Sequence, residues 1–138
     1  MTTPDLDLPI ACPRETERKL LQAATALAAC VPACGGLAGL IAGAPAESAA
    51  FDSHFRYLSG LLLGIGLLVW SLVPRIERNG AVFRAVTLIV VIGGLARLYA
   101  LIERGTPGLM GLALVMELGV TPALCLWQSR VARQSGAA

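Results

Sequence analysis

Charge is what this sequence has least of. Only 14% of its 138 residues are Asp, Glu, Lys or Arg, against about 25% in a typical soluble domain. By contrast, 56% are hydrophobic and the mean hydropathy is +0.71. The deficit argues against a soluble domain and for a membrane protein. A formal net charge of +2 is too small to suggest a nucleic-acid partner. Histidine occurs once, as His54, and the four cysteines (Cys12, Cys30, Cys34 and Cys125) contain no CxxC pair. A tetrahedral zinc site would therefore lack ligands, so no metal and no cofactor is expected. Cys30, Cys34 and Cys125 lie in apolar runs and read as small buried side chains rather than a disulfide framework. No glycine-rich loop follows a strand, and no nucleophile has a base beside it. Ser59 and His54 are five apart, which puts them on different faces of a helix. An enzyme is the less expected class.

What the chain does contain is four long apolar runs, at about 20–43, 54–73, 81–102 and 109–127. About 20 apolar residues suffice to cross a bilayer as a helix. The first run could be mistaken for a signal peptide, since Arg18-Lys19 precedes it and Ala42-Gly43-Ala44 ends it. It exceeds the usual 7–15 residues of such a core, and Pro45 would follow the cut, so it reads as a membrane helix with a kink at Pro32. The runs are joined by APAESAAF, PRIERNG and ERGTPG. Connections this short force neighbouring helices antiparallel. The expected fold is all-α, an integral membrane four-helix up-down bundle over residues 20–130. It is preceded by a tail and charged lead-in (1–19, extended through residue 13) and followed by a basic tail (131–138).

Basic residues orient the bundle. Arg14, Arg18 and Lys19 precede the first span, Arg75, Arg78 and Arg84 lie at the second turn, and Arg130 and Arg133 follow the fourth span. Eight of the 11 basic residues thus share one end. The positive-inside rule places both termini in the cytoplasm. Trp70 and Trp127 fall at that interface, and Tyr57 and Tyr99 at the opposite one. Small residues mark helix contacts: Gly35, Gly39 and Gly43 form a tandem GxxxG, Gly60 and Gly64 a stripe on the second span, and Gly93 and Gly94 a pair on the third. They suit intramolecular packing first and homodimerisation second.

Against this apolar background a few ionisable groups stand out. Asp52, His54, Arg56 and Tyr57 open the second span, Arg97 interrupts the third, and Glu117 interrupts the fourth. The topology puts all of them in the outer half of the membrane. A lone charge at the bilayer centre costs about 2.5–3.5 kcal/mol on insertion scales. Two acids and two arginines at similar depth are therefore expected to pair as a buried salt-bridge cluster. In it Glu117 would bond Arg97, Arg56 or both, and Asp52 would close the outer end. Ala113, Thr121 and Gln128 continue the face of Glu117, and Pro122 removes the helical donor of the Leu118 carbonyl beside it. The cluster reads equally as a structural lock and as the floor of a polar pocket, with a proton relay through Glu117 and His54 a third reading.

SHFRYLSGLLLGIG, GGLARL and MELGVTP, in that order on spans two, three and four, resemble a bacterial family of four-helix membrane proteins, domain of unknown function 4345. That family looks like a distant relative of the DoxX-like four-helix proteins, some of which are accessory subunits of membrane oxidoreductases. The resemblance implies that His54, Arg56, Tyr57, Arg97 and Glu117 occupy recurring motif positions. It also implies a multi-pass protein of the bacterial inner membrane, in contact with lipids and with a larger complex or its own copies. The leading expectation is an accessory or scaffolding subunit. The alternative is a binding or transport module for a lipid-like, quinone-like or small anionic ligand at the polar cluster.

Overall fold

The computed structural model describes residues 13–44, 48–105 and 108–136. The expected extended tail over residues 1–12, with Cys12, and the centres of the first and third connections lie outside the described residues. Helix α1 is Pro13–Ala42 and α2 is Ala49–Leu72, followed by a 3-10 turn at Val73–Arg75. Helix α3 is Gly80–Arg104. The fourth span has three parts: α4 (Leu109–Leu114), a π-helical stretch (Val115–Val120) and α5 (Thr121–Gln134). All four spans are long and apolar enough to cross a membrane. Helix α1 begins before its apolar run and α5 ends after its own, each by about two turns, because charged flanks such as RETERK are helix formers too. Helix α1 continues through Pro32.

The boundaries have local causes. Ser48 caps α2 by accepting from the Phe51 N–H (3.4 Å). Gly43 takes the left-handed conformation (φ 67°) after α1, as does Gly105 (φ 62°) after α3, the usual role of glycine past a helix end. Pro74 supplies no N–H to continue α2 and the chain turns after Arg75, so side chains meet carbonyls left free at this turn. Gln22 Nε2 donates to Val73 O (2.9 Å), and Gln128 Nε2 to Ile76 O (2.8 Å). Gln128 is fully buried, so this bond is shielded from competition.

The helices form a ring in sequence order, with α1 beside α2 and α5, and α3 beside the π stretch and α5. The α1–α2 contact is the most extensive, while α2 and α3 touch sparsely. Apolar packing concentrates at the basic end, where Leu21, Leu72, Ile76, Phe83, Leu124 and Val131 form one cluster. Trp70 Nε1 donates to Ala26 O (2.9 Å) and Trp127 Nε1 to Glu17 Oε1 (3.4 Å) at that same end. Arg18 pairs with Glu77 (3.4 Å) and Arg130 with Glu17 (3.7 Å).

Glycine explains the close α1–α2 approach, but not all the glycines marked by the GxxxG pattern take part. A Cβ on Gly36 would lie 2.6 Å from Ser59 O, and one on Gly66 2.7 Å from Ala33 N. Both would strike backbone, so these two residues set the helix separation. Gly39 meets the Ser59 side chain, and Gly43 meets Asp52 and Arg56. Gly35 is in ordinary contact with Leu62 only, and a Cβ on Gly60, Gly64 or Gly93 would have nothing within 4 Å. Gly60, Gly64 and Gly93 thus take no part in close packing within the described bundle: a glycine word shows that close approach is possible, while the helix's rotation decides which glycines are used.

Candidate functional site

The second span opens with a polar group that serves the connection before it. Arg56 Nε donates to Asp52 Oδ2 at 2.8 Å, one helical turn away. Arg56 Nη1 donates to Leu40 O, one of the last carbonyls of α1, which lack helical partners. The other Asp52 oxygen accepts the Ala44 N–H at 2.8 Å. Together these bonds fasten the end of α1 to the start of α2. His54 is exposed, and Tyr57 is 63% exposed; neither makes a side-chain hydrogen bond among the described residues.

The third and fourth spans hold a second pair. Arg97 Nε and Nη2 donate to Glu117 Oε2 and Oε1, each at 3.1 Å. This is the side-on, two-bond geometry that the guanidinium fork matches to a carboxylate. Gly94 makes the approach possible, since a Cβ there would lie 2.8 Å from Leu118 Cδ2 and 3.0 Å from Glu117 Cβ. The backbone around Glu117 is unusual. Pro122 offers no N–H to Leu118 O, and its ring would clash with that carbonyl in a regular helix. The chain widens to a π turn, in which the Thr121 N–H reaches Met116 O and Thr121 Oγ1 donates to the same oxygen at 2.8 Å. Single π turns inside α-helices recur at functional sites.

The expected single cluster is thus two separate pairs. Among the described residues, no ion pair or hydrogen bond joins Asp52 or Arg56 to Arg97 or Glu117. The reason is reach: Arg56 is drawn to the α1 terminus, where unpaired carbonyls wait, and Glu117 needs both its oxygens for Arg97. Nor is the second pair fully buried, with the Arg97 side chain 35% and the Glu117 side chain 17% exposed.

Both residues line a cavity of about 280 Å³ between the helices. Its walls come from all four spans. They run from Thr25 to Gly35 on α1, Leu62 to Val69 on α2, Phe83 to Arg97 on α3, and Ala113 to Leu124 along the fourth span. Because neighbouring helices are antiparallel, Thr25, Val69, Phe83 and Leu124 form the end nearest the basic face, and Gly35, Leu62, Arg97 and Ala113 the other. The Thr25–Gly35 wall gives a slot roughly 15 Å long at 1.5 Å per residue. The lining is predominantly apolar, and the cavity is partly open. Sequence reasoning found Arg97, Glu117, Ala113 and Thr121, all of which line it. It missed Thr25, Thr87 and Met116 as wall residues, for which only the placement of a weakly polar residue on an inward helix face could have served as a signal.

Comparison with known protein families gives a match across most of the chain. A family model described as "Domain of unknown function (DUF4345)" covers residues 20–128, which takes in all four spans, both ion pairs and every cavity wall. No curated protein matches the chain. No solved structure matches it.

Proposed function

The chain belongs to the family of domain of unknown function 4345, and we propose that it is an intramembrane binding module for a neutral, largely apolar molecule bearing a hydrogen-bond-accepting head. The observation that carries this is the cavity itself: about 280 Å³ of partly open space between four helices, with one bidentate ion pair in its wall. Cavities of about 150 Å³ lined by apolar side chains already hold benzene, so this one accommodates roughly twice that bulk. Its length, roughly 15 Å, is about half the ~30 Å hydrocarbon core, the reach of one leaflet's acyl chain.

Charge selects the head. Arg97 and Glu117 neutralise each other, so an anionic ligand would leave an uncompensated charge within the membrane, which is costly. A neutral ester or quinone-like carbonyl adds none. Arg97 uses Nε and Nη2 on Glu117, and among the described residues no acceptor meets its Nη1, which leaves donors for such an oxygen. The sparse α2–α3 contact provides a lateral way in from lipid between Leu62, Ile65 and Val69 on one side and Val86 and Val90 on the other. In this reading the protein sits in a bacterial inner membrane with both termini in the cytoplasm.

The test is to purify the protein in mild detergent, extract it, and identify bound small molecules by mass spectrometry. Beside it goes Ala113→Phe, which fills the cavity near Arg97. A neutral apolar species present at near-stoichiometric level in the wild type and depleted in the variant is expected. An empty wild type, or a variant that keeps the same cargo, counts against the proposal. An accessory-subunit role has its own supporting observation: Gly60, Gly64 and Gly93 leave open, small-residue surface on α2 and α3, suited to a helix of another protein. Cysteine cross-linking from Gly64→Cys in membranes, with recovery of a single heterologous partner, tests it.

A further inference from the structure

The basic end of the bundle carries more positive charge than its own acids can use. Its acids among the described residues are Glu15, Glu17 and Glu77, and each is taken. Glu15 pairs with Lys19, Glu17 with Arg130 and Glu77 with Arg18. Of the eight basic residues at that end, Arg14, Arg75, Arg78, Arg84 and Arg133 are left with no acid partner among the described residues. One of them stands in a recess. Arg78 on the turn after α2, Arg18 near the start of α1, and Ser135 and Gly136 at the end of α5 line an open space of about 490 Å³, with Glu77 in its wall. This recess shares no residue with the cavity between the helices. Glu77 positions Arg18 rather than hiding it. The contact is to Nε at 3.4 Å, while the Arg18 side chain stays 43% exposed. Arg78 is exposed, and its side chain makes no ion pair or hydrogen bond among the described residues.

Depth selects the class of anion. Arg18 lies two residues before the first apolar run, and Arg78 lies in the connection between two spans. That is the level of lipid headgroups rather than of hydrocarbon. Guanidinium groups match phosphate oxygens, and basic pockets at the ends of membrane helices take up anionic headgroups. We infer that the Arg18–Arg78 recess is a phosphate site and that the headgroup of an anionic phospholipid fills it. The site is independent of the cavity-binding reading and stands or falls without it.

The experiment places the full chain in nanodiscs of equal parts phosphatidylglycerol and phosphatidylcholine with identical acyl chains. Native mass spectrometry reads the lipid retained by the released protein. Arg78→Gln is compared with Arg75→Gln. Both arginines are exposed on the same connection, but only Arg78 lines the recess. The wild type should retain phosphatidylglycerol over phosphatidylcholine. Arg78→Gln should lower that preference about fivefold, the worth of one arginine at an anionic surface, and Arg75→Gln should behave as wild type. Thermal melting of both variants checks that they are folded. No preference in the wild type overturns the proposal. Equal losses in the two variants, as a diffuse basic face would give, overturn it too. Inorganic phosphate is then added as a competitor. Retention that it leaves unchanged supports the lipid headgroup, whereas displacement of phosphatidylglycerol assigns the site to a free anion and overturns the lipid assignment.

Discussion

At the residue scale, the two arginine–carboxylate pairs do different work. Asp52 and Arg56 are one turn apart on the same helix, and both also bond the end of α1. Arg97 and Glu117 are on different helices and bond each other twice. Losing a charged hydrogen bond costs about 1.5–3 kcal/mol, and a stranded charge in the membrane adds to it. Glu117→Gln is therefore expected to destabilise the bundle by about 2 kcal/mol, measured by thermal or denaturant unfolding in detergent; an unchanged midpoint would rule out the direct pair. Arg97→Lys keeps the charge but not the fork, so it should recover only part of that stability. Asp52→Asn should lower the melting midpoint less than Glu117→Gln, because the Asp52–Arg56 pair is more open to solvent and screening weakens it. His54 and Tyr57 differ from all four. They share the motif but are exposed, which leaves them available to lipid headgroups or a partner.

At the element scale, two features shape the site: the tight α1–α2 seam and the π stretch in the fourth span. Gly36 and Gly66 bring backbones together, so Gly36→Leu must force α1 away from α2. Gly64→Leu adds the same bulk where nothing is near. Unfolding of the monomer should thus separate them, with Gly36→Leu strongly destabilised and Gly64→Leu close to wild type. Comparable losses in both would mean that the seam is not where these contacts put it. The π stretch turns Glu117 toward α3 and is tied by the Thr121 hydroxyl to Met116 O. Thr121→Val removes that bond at nearly constant shape, and a loss of about 1 kcal/mol is expected, read from the unfolding midpoint. A glycine word such as GGLARL was legible as a site of close approach. Which of Gly93 and Gly94 is used was not, because the answer depends on how α3 is rotated against the π stretch, and that stretch depends on the stranded Leu118 carbonyl.

For the whole molecule, packing is uneven along the bundle axis. The basic end holds the apolar cluster, the buried glutamine cap at Ile76 O and the tryptophan bonds, while a cavity runs from the edge of that cluster to Arg97 and Ala113 in the opposite half. Hydrogen exchange should be slowest around Leu21, Ile76 and Leu124 and faster in the outer turns of α3. Uniform protection would contradict the asymmetry. An even number of spans puts both termini on one side, and in the proposed topology the basic end faces the cytoplasm. Reporter fusions after residue 136, together with labelling of His54→Cys in intact cells by an impermeant thiol reagent, should report a cytoplasmic C-terminus and an externally accessible residue 54. The opposite pair of results would invert the bundle.

Span number, helical character, antiparallel order and an arginine partner for Glu117, with Arg97 and Arg56 both open, were contained in the sequence. Each follows from one-dimensional facts: apolar run length against bilayer thickness, connection length, and the cost of an unpaired charge in lipid. The tertiary structure alone decided that Arg56 belongs to the α1 terminus rather than to Glu117, that Gly36 and Gly66 rather than Gly60 and Gly64 set a helix seam, and that the interior is a slot lined by all four spans. These depend on helix rotation and on unpaired carbonyls competing for the same donors. Both are settled by many weak contacts at once and leave no mark at any single position of the chain.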